Sequence, residues 1–159
     1  MSYSDFLNSL GPKRREIAEK AVSLYLGEQA EGVKSITAAP EVLVLMAPKI
    51  IGLEDEHLWI IYLNNALRVL GVDEVSHGGM ASTVVDVKIV LKNCLKMHGC
   101  TRLIIVHNHP SGDCTPSMPD NDVTSKVKAG AKAVGLVLVD HCIVAEHGGF
   151  YSYAEHGKI

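Results

Sequence analysis

The chain has 159 residues, of which 47% are hydrophobic, and a net charge of −3. This length suits one globular domain with a sizeable core, and the charge lacks the basic excess typical of DNA-binding domains. No signal-peptide pattern opens the chain. The most apolar window, at residues 42–51, is too short to cross a bilayer. We therefore expect a cytoplasmic protein with no membrane partner.

The cysteines do not form a zinc-ribbon pattern. No two of them are separated by only two residues, and three lie in or beside apolar segments. We expect reduced cysteines in or near the core. They are Cys94, Cys100, Cys114 and Cys142.

Helical patterns occupy the first third of the chain. Apolar side chains recur at helical spacing over residues 13–28, with Ile17, Leu24 and Tyr25 on one face. A loop is expected over residues 32–39. Pro40 then starts a short apolar helix, which Pro48 is expected to end. We divide the chain into an N-terminal helix and loop, residues 1–39, and a domain over residues 40–159.

A hairpin and a helix follow. Residues 57–63 are rich in β-branched and aromatic side chains and predict a strand. Residues 66–75 predict the return strand, with a bulge at Gly71, and Gly78-Gly79 closes the hairpin. Thr83 and Asp86 resemble the capping box of the next helix. The expected apolar face of that helix consists of Val84, Val87, Leu91, Cys94 and Leu95.

The last third alternates strands with a helix. Residues 103–106 form a continuous apolar run, typical of a strand buried on both faces, and residues 136–144 predict another buried strand. A helix lies between them, and Gly148-Gly149 leads into a final strand over residues 150–154. The order α, α, β, β, α, β, α, β, β predicts a single α/β domain in which helices sandwich a mixed sheet.

Polar residues cluster after the first buried run, in the stretch HNHPSGDCTPSMPD at residues 107–120. His107 and His109 would point to the same side of a strand, and Pro110 would end it. Two histidines with Asp120 make the ligand set of several catalytic zinc sites, which leave a fourth position open. Alternatively, Ser117 and Asp120 form a helix capping box without any metal. Spacing alone leaves both interpretations open.

A longer pattern contains these residues. The run from His107 to Asp120 reads H-N-H-P-x6-S-x2-D, which resembles the JAMM (JAB/MPN) metalloprotease signature. HNHPSGD, followed by TPS and Asp120, resembles the RadC family more narrowly. EHLWIIYLN at residues 56–64 and LVLVDHCIVAEHGGFYSYAE at residues 136–155 are similar to further segments of that family. The resemblance spans about residues 40–155.

This resemblance implies a JAB/MPN-like fold and a zinc-dependent peptidase or isopeptidase. It implies that His107, His109 and Asp120 bind Zn²⁺. It also implies that Ser117 stabilises the tetrahedral intermediate and that Glu56 acts as general base. Nothing in the spacing alone distinguishes Glu56 from the neighbouring carboxylates. The implied substrate is a peptide or an isopeptide-linked protein.

The sequence departs from the RadC pattern at two places. Cys114 stands where proline is common in that family, and we interpret it as inert. The segment before residue 40 is too short for the helix-hairpin-helix region of longer members, which disfavours a nucleic-acid partner. Asp113 is expected to be a turn residue. Asp140 and His141 interrupt a buried strand, either as a satisfied core pair or in contact with a metal ligand or a loop.

Two other functions stay open. The JAMM fold includes members that serve as non-catalytic interaction modules, and the RadC name suggests DNA repair. Neither the substrate nor the oligomeric state can be derived from the sequence, and a homo-oligomer is one possibility.

Overall fold

The computed structural model describes residues 3–78, 85–145 and 149–159. The helices and strands of these residues follow the predicted order, with one short helix added at the start. They are α1 (Tyr3–Asn8), α2 (Pro12–Gly32), α3 (Ala39–Ile50), β1 (His57–Leu63), β2 (Val69–His77), α4 (Val87–Lys96), β3 (Arg102–His109), α5 (Met118–Ala133), β4 (Val137–Ala145) and β5 (Phe150–Ser152).

The strands form one mixed sheet in the order β2-β1-β3-β4-β5. Strands β3 and β4 are parallel, and the other neighbours are antiparallel. A parallel pair needs a crossover connection, which α5 supplies. The mixed α/β fold expected from the sequence is therefore confirmed.

Strand β3 separates two hydrophobic cores. Leu103 and Ile105 pack with α4 and α5 on one face of the sheet. Ile104 and Val106 pack with α3 on the other face. Successive side chains of a strand point to opposite faces, so a continuous apolar run suits a strand covered on both sides. The sheet is thus sandwiched between helices, as expected.

One expectation about the first helices was wrong. Pro48 lies inside α3, which continues to Ile50. A proline near the end of a helix removes only one hydrogen bond, and the N–H of Ile51 still bonds the carbonyl of Ala47. The helix expected over residues 13–28 is confirmed as α2, whose apolar side chains are exposed, by 68% at Ile17 and 62% at Leu24. The division of the chain at residue 39 stays a prediction.

The hairpin is bulged at Leu70, one residue before the expected position at Gly71. Pairing passes from Tyr62–Gly71 to Leu63–Val69, so Leu70 is left without a partner residue on β1. The return strand begins at Val69 rather than at residue 66. Gly79, which was expected to close the hairpin, lies outside the described residues.

The helix after the hairpin differs from its predicted form at both ends. Asp86 caps α4 by accepting a hydrogen bond from the N–H of Lys88, 2.9 Å away. Thr83 and Val84 lie outside the described residues. Val90 and Cys94 face the core, whereas Leu95 is 59% exposed. One residue along a helix is a rotation of about 100°, so Leu95 cannot share the face of Cys94.

Strand β5 is shorter than expected, because the chain turns after Ser152. The carboxylate of Asp140 accepts hydrogen bonds from the Ser152 hydroxyl and the Ala154 N–H. Gly148 lies outside the described residues. All four cysteines are free, and Cys94 and Cys142 are buried. None of the helices in the described part of the chain combines the length and the apolar character that crossing a membrane requires.

The core face of α3 can be tested by substitution. Met46→Ala should lower the free energy of unfolding by about 2–5 kcal/mol, because a fully buried side chain is replaced by a cavity. Val44→Ala, on the same helix but 41% exposed, should change it by less than about 0.5 kcal/mol. Denaturant unfolding measures both changes. Equal losses would contradict the assignment of this face.

Candidate functional site

Two histidines lie together at the carboxyl end of β3. The strand continues through His109, and both imidazoles are buried. Their Nε2 atoms lie 2.7 Å apart. Pro110 follows directly and cannot donate to a sheet, so the strand delivers these side chains at the point where it ends.

The carboxylate of Asp120 completes the group from the first turn of α5. Its Oδ1 lies 3.3 Å from Nε2 of His107, and its Oδ2 lies 3.5 Å from Nε2 of His109. In tetrahedral zinc sites, bonds of about 2.0–2.1 Å separate the ligand atoms by about 3.3–3.4 Å. The donor types fit such an ion, and so does the separation of 3.3 Å between Oδ1 of Asp120 and Nε2 of His107, whereas the two Nε2 atoms lie closer together, at 2.7 Å. The group could therefore hold a metal, whose identity the structure does not show.

The helix cap and the histidine cluster use the same carboxylate. Ser117 caps α5 by accepting a hydrogen bond from the N–H of Asp120. In return, Oδ2 of Asp120 accepts hydrogen bonds from the N–H and the hydroxyl of Ser117, both at 2.6 Å. Oδ1 remains directed at His107. The capping box and the metal-ligand arrangement are thus compatible, because the cap fixes the carboxylate beside the histidines.

Glu56 lies beside this group, just before β1. Leu58 pairs with His107, so the residues ahead of Leu58 run alongside the end of β3. The Glu56 side chain is exposed, and its negative charge helps to raise the pKa of His109.

Asn108 holds the backbone on both sides of Glu56. Its Oδ1 accepts a hydrogen bond from the N–H of His57 at 2.7 Å. Its Nδ2 donates to the carbonyl of Asp55 at 2.9 Å. Asn108 is 3% exposed, so water does not compete with these bonds. The sequence pattern does not identify Asn108, because nothing in it indicates where a polar side chain between two histidines points.

The loop after β3 supports His109. The carbonyl of Asp113 accepts a hydrogen bond from Nδ1 of His109 at 2.6 Å. The Asp113 side chain accepts from the N–H of Thr115, which confirms its expected turn role. Cys114 is half-buried and lies near Gly149. A Cβ atom added to Gly149 would be 3.7 Å from Sγ of Cys114. Within the described ranges, the group that could hold a metal does not include Cys114.

Asp140 and His141 have separate partners, although they are adjacent in sequence. Asp140 binds the turn after β5, as described above. His141 contacts His107 through its Nε2 at 2.9 Å and Thr124 through its Nδ1 at 2.6 Å. Of the two interpretations left open by the sequence, contact with a candidate ligand describes His141. Thr124 was missed, although it lies one helical turn after Asp120, a spacing that places both on one face.

Comparison with known proteins agrees with this geometry. The family model of the RadC-like JAB domain matches residues 36–158. The chain belongs to the RadC-like JAB domain family.

Relatives of this RadC-like domain carry the name UPF0758 protein. The one from Flavobacterium johnsoniae is 35% identical and aligns with 99% of this chain and 70% of its own length. The one from Porphyromonas gingivalis is 31% identical over 79% of this chain and 55% of its own. The one from Symbiobacterium thermophilum is 29% identical over 98% and 67%. This chain thus spans about half to 70% of the length of these relatives.

The two histidines of the RadC-like site differ electrostatically. Burial lowers the pKa of His107 to about 4, against the attraction of Asp120. The hydrogen bond with Asp120 raises the pKa of His109 above its ordinary value of 6.5 and outweighs the effect of burial. Burial by itself would raise the pKa of Asp120, but its bonds with His109 and Ser117 and the charge of His107 hold it below the usual range. As pH falls, His109 is therefore the first of these ligands to take up a proton.

The difference in pKa between His107 and His109 predicts how the affinity for a metal ion depends on pH. A metal ion such as zinc, held by this group, would have to displace the proton of His109, so its affinity should fall as pH drops below the raised pKa of that residue and level off above it. His107 should add a second proton only near pH 4. Between about pH 5 and 6.5, the logarithm of the affinity should rise by about one per pH unit. Competition with a chromophoric chelator measures this slope.

His98→Gln is the matched control, because His98 is exposed and lies after α4. It should leave the slope unchanged. A slope of about two would show that both ligand histidines compete with protons in this range, and a slope of zero would contradict histidine ligation.

Proposed function

We propose that this chain is a zinc-dependent hydrolase that cleaves amide bonds in a peptide or an isopeptide-linked protein. The observation that carries the proposal is the convergence of His107, His109 and Asp120 at the end of a buried strand. Three protein ligands are characteristic of catalytic zinc sites, whereas structural sites use four. Membership of a JAB domain family supports the same chemistry.

A bound zinc ion would polarise the scissile carbonyl and lower the pKa of a water molecule. Glu56 and Ser117 would carry out the proton transfer and the stabilisation of the developing charge. The carboxylate of Glu56 would accept a proton from that water and return it to the leaving amine. The hydroxyl of Ser117 would exchange its bond to Asp120 for one to the substrate oxygen as negative charge develops there. Because Glu56 is exposed, a substrate can reach it from solvent.

The first experiment is elemental analysis of protein purified without chelator, followed by a screen of fluorogenic peptides and isopeptides. We expect about one zinc per chain and turnover that a chelator abolishes. Zinc binding without hydrolysis of any library member would favour a non-catalytic interaction module. Salt-dependent binding of DNA would instead favour nucleic-acid processing, which the net charge of −3 disfavours.

Glu56→Gln should retain zinc and lose turnover by about 100-fold or more, since general acid–base catalysis contributes that much. The matched control is Glu54→Gln, which neutralises an exposed carboxylate two residues earlier. Metal content and rate are measured for both variants. A wild-type rate for Glu56→Gln, or an equal loss in both variants, would show that Glu56 is not the general base.

Asn108→Ala should lower turnover, because it releases the backbone on both sides of Glu56. A displacement of about 1 Å at a catalytic group can cost about 100-fold. Zinc content should stay unchanged, since Asn108 does not contact the ligands through the bonds described above. Residues that act as a unit are not additive, so Asn108→Ala should have little further effect in the Glu56→Gln background. A full additional loss there would assign Asn108 another role.

A further inference from the structure

A chain of three hydrogen bonds joins His107 to Asp120, on the side of His107 that faces away from the proposed metal position. Nδ1 of His107 lies 2.9 Å from Nε2 of His141. Nδ1 of His141 lies 2.6 Å from Oγ1 of Thr124. Oγ1 of Thr124 lies 2.6 Å from the carbonyl oxygen of Asp120. The chain therefore starts at the backbone of one ligand and ends at the imidazole of another.

The carbonyl of Asp120 sets the direction of these bonds. A carbonyl oxygen can only accept, and two oxygens 2.6 Å apart need a proton between them. The single hydroxyl proton of Thr124 must therefore point at Asp120. Oγ1 of Thr124 can then only accept from His141, which requires a proton on Nδ1 of His141. With these proton positions, each of the two 2.6 Å contacts of Thr124 contains one proton.

The burial of His141 determines which residue donates in the hydrogen bond between His141 and His107. His141 is 0% exposed, and complete burial disfavours the charged form of an imidazole. It is therefore neutral near pH 7 and holds one proton, on Nδ1. Its Nε2 accepts from Nδ1–H of His107. His107, also neutral, is left with an unprotonated Nε2, the atom that faces His109 and Asp120.

We propose that Thr124 and His141 are positioning residues that hold His107 in the one neutral tautomer able to bind a metal through Nε2. The proposal rests on the proposed metal site and deepens it. It also explains why α5 carries both Asp120 and Thr124, because the helix then delivers one ligand and orients another. The competing explanation is packing, since His141 stacks on Tyr153 with ring centres 4.9 Å apart.

The test compares Thr124→Val with Thr124→Ser. Valine has nearly the shape of threonine but no hydroxyl, so Nδ1–H of His141 loses its acceptor. His141 can then move its proton to Nε2 and donate to His107, which places a proton on Nε2 of His107. We expect zinc affinity to fall by about 10- to 100-fold in Thr124→Val. Thr124→Ser retains the hydroxyl and should stay within about threefold of the natural chain.

Two measurements separate orientation from packing. Chelator competition with zinc alone gives the affinity. Long-range proton–nitrogen NMR of the chelator-treated protein gives the tautomer of His107, which should be Nδ1–H in the natural chain and in Thr124→Ser. In Thr124→Val it should shift toward Nε2–H. Val127→Ala, one turn along the same buried face of α5, should lower stability without changing either readout.

His141→Phe provides a second variant if Thr124→Val does not fold. It can still stack on Tyr153 but offers no acceptor to His107, so zinc affinity should again fall. The proposal would be overturned if Thr124→Val had the zinc affinity and the His107 tautomer of the natural chain. It would also be overturned if Thr124→Ser lost as much zinc affinity as Thr124→Val. If the natural chain binds no zinc, the proposed function fails, and the tautomer comparison alone still decides the role of Thr124 and His141.

Discussion

Two imidazoles and a carboxylate are buried together at the end of β3, and the surrounding structure supplies the partners that such groups require. Buried polar groups are costly unless they are hydrogen-bonded. The Asp113 carbonyl binds His109, and His141 binds His107. Ser117 binds Asp120. Each of these bonds leaves one ring nitrogen or carboxylate oxygen of His107, His109 or Asp120 directed at a common point.

The sheet topology explains how these partners meet. Because β3 and β4 are parallel, their carboxyl ends lie side by side. This arrangement brings His141 on β4 close to His107 on β3. The antiparallel neighbour β1 begins at the same edge, so the segment containing Glu56 lies there as well. The crossover helix α5 starts above the end of β3 and contributes Asp120 and Thr124. Residues separated by up to about 85 positions therefore form one group.

The two cores give the site a rigid base. Side chains of β3 alternate between them, so a shift of the strand by one residue would move each of these side chains from one core to the other. Bonds from Asn108 to the segment before β1 extend this rigidity to Glu56. A fixed group of two histidines and an aspartate, with an exposed carboxylate beside it, fits the proposed hydrolysis of a substrate that approaches from solvent. The exposed apolar side chains of α2 lie outside this arrangement.

Short-range patterns determined much of this protein. The apolar runs specified β1, β3 and β4, and the spacing from His107 to Asp120 identified the residues that converge, because strand and cap geometry are local. Long-range packing decided the rest. Which side of α4 is buried depends on neighbours far away in sequence, which is why Leu95 was misplaced. The partners of His141 and Asn108 likewise exist only once β1, β3, β4 and α5 meet, since no local rule states which distant donor a buried side chain will face.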